Sequence, residues 1–178
     1  MRHGETEWSA AGRHTSYTDL ELTAAGELAA LDLGARLPHD FDLVLTSPRR
    51  RARRTAELAG FPDAVIDQDL VEWDYGDYEG ITTPQIRERD PGWTVWTHAC
   101  PGGEGPQEVT ARCDRVIGRL AEVGGKVLVF GHGHSLRSLT ARWLGQDVDE
   151  GRFFRLDTAT LSVLGHERET PVILRWNA

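Results

Sequence analysis

Along this chain, short runs of consecutive apolar residues alternate with longer segments in which apolar residues return every three or four positions. Phe41 to Thr46, with Leu43, Val44 and Leu45 together, and Lys126 to Phe130 have the length and composition of strands buried on both faces. Ala64 to Ile66 is a shorter candidate. Between these runs the period lengthens. Thr23 reads as an N-cap, and Leu28, Leu31, Ala35 and Leu37 keep helical spacing until Pro38 stops the run. Ser47 as cap and Pro48 at the first helical position open a second helix that ends near Gly60. Thr83-Pro84 starts a short helix, and Gln107 to Val123 sets Val109, Cys113, Val116, Ile117 and Leu120 on one face. Leu136 to Leu144 reads as a last helix. Thr160 to Leu164 and Pro171 to Trp176, around a turn at Gly165 to Glu169, predict a hairpin at a sheet edge. Three stretches lack either period: a polar loop from Ser9 to Asp19, an acidic and aromatic loop from Leu70 to Gly80, and an insertion or lid from Pro91 to Gly105.

This alternation predicts an α/β fold of three layers, with a mostly parallel central sheet and helices on both faces. Sites in such sheets lie at the carboxyl ends of the strands. The rule brings the turns at His3, Ser47 and His132 to one edge. Only Met1 precedes Arg2, so the apolar strand expected before the first turn is missing from the sequence, and further apolar residues upstream are expected.

At 178 residues the chain suits one domain with one core, residues 1–178. A hydrophobic fraction of 39% with 27% charged residues is the balance of a folded soluble protein. No apolar run is long enough to span a bilayer and no secretory signal follows Met1, which points to the cytoplasm and away from a membrane. A net charge of −8 argues against nucleic-acid binding, despite five arginines between positions 49 and 54. Two cysteines, Cys100 and Cys113, are too few for a disulfide framework and suggest reduced thiols. A homo-oligomer is compatible with the sequence.

The candidate chemistry begins at Arg2-His3-Gly4. Arg2 offers a planar fork of donors that matches two phosphate oxygens, and His3 is a nucleophile when its reacting nitrogen is unprotonated. Gly4 permits close backbone approach. For these residues alone a surface turn is the alternative. His132 follows a strand between two glycines; a structural histidine is the alternative. A metal-binding pair with His134 is disfavoured because no carboxylate or cysteine stands at matching spacing. Most of the arginine run reads as a solvated helix face. At about 100° per residue, Arg51 points away from Arg49 and Arg53, and it lies near the helix start, where an anion is favoured. Glu72, between Val71 and Trp73, has an apolar setting in which a carboxyl can carry a proton, with a surface glutamate as the alternative.

Taken together these segments are more specific. Arg-His-Gly-Glu-Thr-Glu-Trp, Thr-Ser-Pro-x-x-Arg-Ala-x-x-Thr, Glu-Trp-Asp-Tyr-Gly-x-Tyr-Glu-Gly and Gly-His-Gly-His-Ser-Leu-Arg occur in the order found in the histidine phosphatase superfamily. The chain resembles its phosphoglycerate-mutase-like branch from Arg2 to about Leu144. The resemblance implies His3 as the phosphorylated nucleophile, with Arg2, Arg51 and His132 around the phosphoryl group and Glu72 as acid and base. It further implies Ser9, Thr15, Ser16, Tyr75 and Gly133 as lining the substrate site, with no metal and no other cofactor. The chain has Ser9 where the mutases usually have Asn, Trp73 where they have Arg, and lacks their long basic insertion. It is most similar to the broad acid phosphatases and sedoheptulose-bisphosphatase-like members. The expected activity is therefore hydrolysis of small phosphate monoesters, such as sugar phosphates or bisphosphates, with a cofactor-dependent phosphoglycerate mutase as the alternative.

Overall fold

A computed structural model describes residues 1–178. The apolar runs become strands β1 (Leu43–Thr46), β2 (Val65–Ile66) and β3 (Val127–Phe130), all parallel, in the order β2-β1-β3. Residues 1–3 continue the sheet beyond β3. The Gly131 N–H donates to the Met1 carbonyl at 2.9 Å, and the His3 N–H to the Gly131 carbonyl at 3.0 Å.

Because side chains alternate along a strand, a continuous apolar run feeds two cores. Leu43, Leu45, Val127 and Val129 face a core completed by α5 (Pro106–Val123), through Val109, Cys113 and Val116, and by Leu139 of α6 (Gly133–Trp143). Val44, Leu128 and Phe130 face Leu33 of α2 (Ala24–Ala35) and Ala56 of α3 (Arg50–Leu58). The three-layer α/β expectation is met. Cys100 and Cys113 are buried free thiols, and burial pushes both up to about 12.

Several details differ from the sequence pattern. Helix α2 begins at the Thr23 cap as expected, but Leu28 and Leu31 are 68% and 48% exposed. Its packed residues are Gly26, Ala30, Leu33 and Gly34. A methyl group at Gly26 would stand 2.3 Å from the Glu5 carbonyl oxygen, and one at Gly34 2.5 Å from Ala59 Cα. The helix thus docks through Leu33 and its smallest residues, backbone against backbone at the two glycines, while Leu28 and Leu31 turn outward. The same contact explains Gly4, whose missing side chain faces the Gly26 backbone. A four-residue helix, α1 (Glu7–Ala10), has no apolar periodicity to announce it, being held by a reciprocal cap between Thr6 and Ser9, while the short helix expected at Thr83-Pro84 is α4 (Thr83–Arg87).

Helix α3 is not capped by Ser47 and does not start at Pro48; Arg49 is its N-cap, and the Ser47 hydroxyl is bound to His132 instead. Helix α6 starts three residues earlier than expected, at Gly133, with His132 as its N-cap. The tail strands, Val163–Glu167 and Thr170–Arg175, form a separate two-stranded sheet rather than an edge of the central one. Only the segment before them reaches the centre, where the Ala159 N–H donates to His3 and the Thr160 carbonyl accepts from Arg2. Residues 91–105 are irregular as expected, yet no free lid: Trp93, Val95, Trp96 and Cys100 belong to the core.

Substitutions at two glycines separate packing from helix propensity. Gly118, inside α5, has nothing within 4 Å of an added methyl, so Gly118→Ala should gain about 0.5–1 kcal/mol. Gly34→Ala gains the same propensity but forces overpacking that costs about 1–3 kcal/mol or more. Denaturant unfolding should show the first variant more stable than the parent and the second less stable.

Candidate active site

The ends of β1 and β3 lie side by side, with Thr46 paired to Phe130, and residues 1–3 lie on the far side of β3. The three turns at His3, Ser47 and His132 therefore meet at one edge.

His3 is buried, and its Nδ1 lies 2.7 Å from the Gly4 carbonyl oxygen. A carbonyl can only accept, so Nδ1 carries the proton and Nε2 holds the lone pair. Burial first, then the charges of Arg51 and Arg2, hold the imidazole well below its ordinary pKa. The ring is neutral at neutral pH. Its neighbour His132 is edge-on, with ring centroids 5.2 Å apart.

His132 is 0% exposed and is fixed at both nitrogens. Arg51 Nε donates to Nδ1 at 3.1 Å, which leaves the ring proton on Nε2, 2.7 Å from Ser47 Oγ. Burial, Arg51 and His3 push its pKa well down. The rings of His132 and His134 serve different partners, because Nδ1 of His134 lies 2.6 Å from the Tyr75 hydroxyl.

Arg51 is 1% exposed on the second residue of α3. Besides the bond to His132, its Nη1 donates to Thr18 O and its Nη2 to Thr15 O and Ser16 O. With five N–H donors available, one on Nη1 is left over. Thr55, one turn later, ties this helix to the first turn: its hydroxyl accepts from the Gly4 N–H at 2.9 Å and donates to the Arg51 carbonyl at 2.7 Å. Arg2 donates through Nη1 to the Leu156 carbonyl, and its buried Nε has no partner.

Glu72 is buried across the cleft, anchored by the start of α6. Its Oε1 accepts from the N–H of Ser135 at 2.7 Å and of Trp73 at 2.9 Å, and its Oε2 from His134 at 3.0 Å. This is why the earlier start of α6 matters: the first-turn N–H groups, which have no partner inside a helix, end on the carboxylate. The segment before Glu72 is clamped by Arg112, which donates to the carbonyls of Asp69 and Val71 and forms a two-pronged pair with Glu104 at 2.7 and 2.8 Å. Gly133 stands between the two sides. A methyl there would lie 3.4 Å from Arg2 Cζ and 3.6 Å from Glu72 Oε2, so the glycine keeps that gap open.

The five residues expected to carry chemistry, Arg2, His3, Arg51, Glu72 and His132, are brought together. Of those expected to line the substrate site, Gly133 lies in the gap, and Tyr75 is buried beside His134, its hydroxyl pushed well above its ordinary range by burial and by Glu72. The other three serve differently. Ser9 spends its hydroxyl on the cap with Thr6, donating to Thr6 O at 3.0 Å and accepting from Thr6 N. The carbonyls of Thr15 and Ser16 accept from Arg51, and the Thr15 hydroxyl donates to the Arg13 carbonyl at 3.2 Å. Ser16 Oγ is bound to Glu79 at 2.6 Å, and Glu79 also takes the N–H groups of Ser16 and Thr18, which shapes that loop. Ser47, Thr55 and Glu79 were missed as supports, although Ser47 and Thr55 stand inside the Thr-Ser-Pro-x-x-Arg-Ala-x-x-Thr pattern.

Comparison with known proteins agrees with this geometry. The histidine phosphatase superfamily (branch 1) matches residues 1–178. An acid phosphatase of Mycobacterium tuberculosis is 46% identical over 173 residues, covering 94% of this chain and 85% of that protein. A sedoheptulose 1,7-bisphosphatase of Saccharomyces cerevisiae is 36% identical over 184 residues, covering 84% of this chain and 68% of that protein. Among solved structures, the product of open reading frame Rv3214 of Mycobacterium tuberculosis superposes with a TM-score of 0.94 at 42% identity, covering 99% of this chain and 94% of that one. With two neutral histidines and two guanidiniums converging at the strand ends and the family matched from end to end, the chain belongs to the histidine phosphatase superfamily, branch 1, as a phosphoric monoester hydrolase.

Proposed function

We propose that this enzyme hydrolyses small sugar phosphates or bisphosphates by two displacements at phosphorus, with His3 Nε2 as the nucleophile. The observation that carries this reading is the His3 hydrogen bond to Gly4 O, which leaves an unprotonated Nε2 in a pocket with two arginines. In the first step Nε2 attacks phosphorus in line, the P–N bond forms and the P–O bond to the sugar breaks. Glu72 acts as general acid, giving a proton to the departing alkoxide. Arg2, the free Nη1 N–H of Arg51 and the charge behind His132 offset the negative charge on the equatorial oxygens. In the second step Glu72 takes a proton from water, the hydroxide attacks phosphorus, and the P–N electrons return to Nε2. The cationic side chains supply the neutralisation, so no metal is part of the scheme. Sugar phosphates are favoured by the 36% identity with the protein named sedoheptulose 1,7-bisphosphatase.

Phosphate release should survive EDTA and fall by roughly three orders of magnitude or more in His3→Ala. Acid-labile, base-stable phosphohistidine should be trapped by rapid quench in the parent only. Near-normal turnover by the His3→Ala protein would rule the scheme out, and isomerisation of 3-phosphoglycerate on adding 2,3-bisphosphoglycerate would favour a mutase. Glu72→Gln should slow alkyl phosphates by about 10²–10⁴-fold and aryl phosphates, whose leaving oxygen needs little protonation, much less. His3, His132 and His134 are all held well below 6.5, and His14 falls to about 4, each chiefly through burial. The unfolded chain therefore takes up protons first. Stability should be fully present above pH 6.5 and drain away as pH falls through the window from 6.5 to 4 and below. Urea unfolding across pH 4–8 measures that slope.

A further inference from the structure

Two arginines in this chain have a buried Nε with no hydrogen-bond partner. One is Arg2, of the Arg-His-Gly turn. The other is Arg49. Removing a cationic N–H from water without giving it an acceptor is costly, and such groups are usually satisfied. For Arg2 a bound phosphoryl oxygen would relieve the cost. The same reasoning applies to Arg49, and its position supports it. Its backbone N–H donates to Ser47 Oγ at 3.3 Å, and that oxygen also meets His132 Nε2 at 2.7 Å. The backbone of Arg49 is thus one hydroxyl away from the second histidine, at the N-cap of the nine-residue helix α3, so its side chain starts out beside the pocket.

The other arginines of the run are accounted for. Arg50 pairs with Glu21, and Arg54 with Glu27 and Glu57. Arg53 is exposed on the surface. Arg51 spends four N–H groups inward, on His132 and on three carbonyls, so its fork is not free to grip two oxygens. Arg49 is half-buried and joins no ion pair or side-chain hydrogen bond, which leaves its whole guanidinium unassigned.

We infer that Arg49 is a further ligand of the phosphoryl group, gripping it on the His132 side and supplying the two-pronged contact that Arg51 cannot. This rests on the phosphatase reading of the site. The field of Arg49 also reaches the pocket, where it helps lower His132 and Arg51.

The test is calorimetric titration of inorganic phosphate and of orthovanadate into the full chain, as parent, Arg49→Ala, Arg49→Lys and Arg53→Ala, with thermal melts to verify folding. Hydrogen bonds to charged groups translate into about a 10–100-fold weakening for Arg49→Ala with both anions. Arg49→Lys should recover part of the loss, since it restores charge but not the fork, and Arg53→Ala should bind as the parent does. In turnover, Arg49→Ala should raise KM and lower kcat, whereas a merely structural residue would move the melt and leave anion affinity alone. Anion affinity within twofold of the parent in folded Arg49→Ala overturns the inference while leaving the phosphatase reading intact. A parent that binds neither anion removes both.

Discussion

The site depends on keeping two buried guanidiniums free of any hydrogen-bonded carboxylate. Elsewhere in this chain arginines meet carboxylates, as in Arg112 with Glu104 or Arg119 with Asp67 and Asp69. Arg2 and Arg51 do not. Their hydrogen bonds end on the carbonyls of Leu156, Thr15, Ser16 and Thr18 and on an imidazole nitrogen. Carbonyl oxygens orient a guanidinium without cancelling its charge, so the field remains available to a dianionic phosphoryl group. That same field, added to burial, keeps His3 and His132 neutral. One arrangement thus leaves a cationic pocket and a neutral His3 side by side.

Holding it requires close backbone contact on one side and a helix terminus on the other. Glycines at 4, 26 and 34 let α2 press against the first turn and against the end of α3. Thr55 then links α3 to Gly4, so the strand-end turn carrying His3 is tied to the helix carrying Arg51. Opposite them, the first turn of α6 fixes Glu72 with main-chain N–H groups, while Arg112 fixes the chain leading to it. The irregular segment from residue 91 to 105 takes part through Glu104, which bonds to Arg112 and to the N–H of Asp74. Its tryptophans make it a wall rather than a flap.

Much of this was legible in the sequence. The continuous apolar runs at 43–45 and 127–130 could only belong to strands covered on both sides, and the rule that sites lie at the carboxyl ends of such strands joined His3 to His132 across nearly 130 positions. Arg2, His3, Arg51, Glu72 and His132 lie inside four short local patterns that can be read without the fold, and the resemblance those patterns carry is what singled the five out.

Other features depended on partners distant in the chain. Ser47 looks like a helix cap, and only the approach of β3 turns its hydroxyl toward His132. Ser16 carries the right donor for a phosphate, yet the carboxylate of Glu79, 63 positions away, claims it first. Leu28 and Leu31 have the period of a buried face, but backbone contact at Gly26 and Gly34 outcompetes it. The sequence by itself determined the central strands and the edge at which the three turns meet, because those follow from local periodicity and the strand-end rule. Which hydrogen-bond donors remain free for a ligand was decided by tertiary structure alone, since every donor's choice depends on which acceptors the fold brings within 3 Å or so of it.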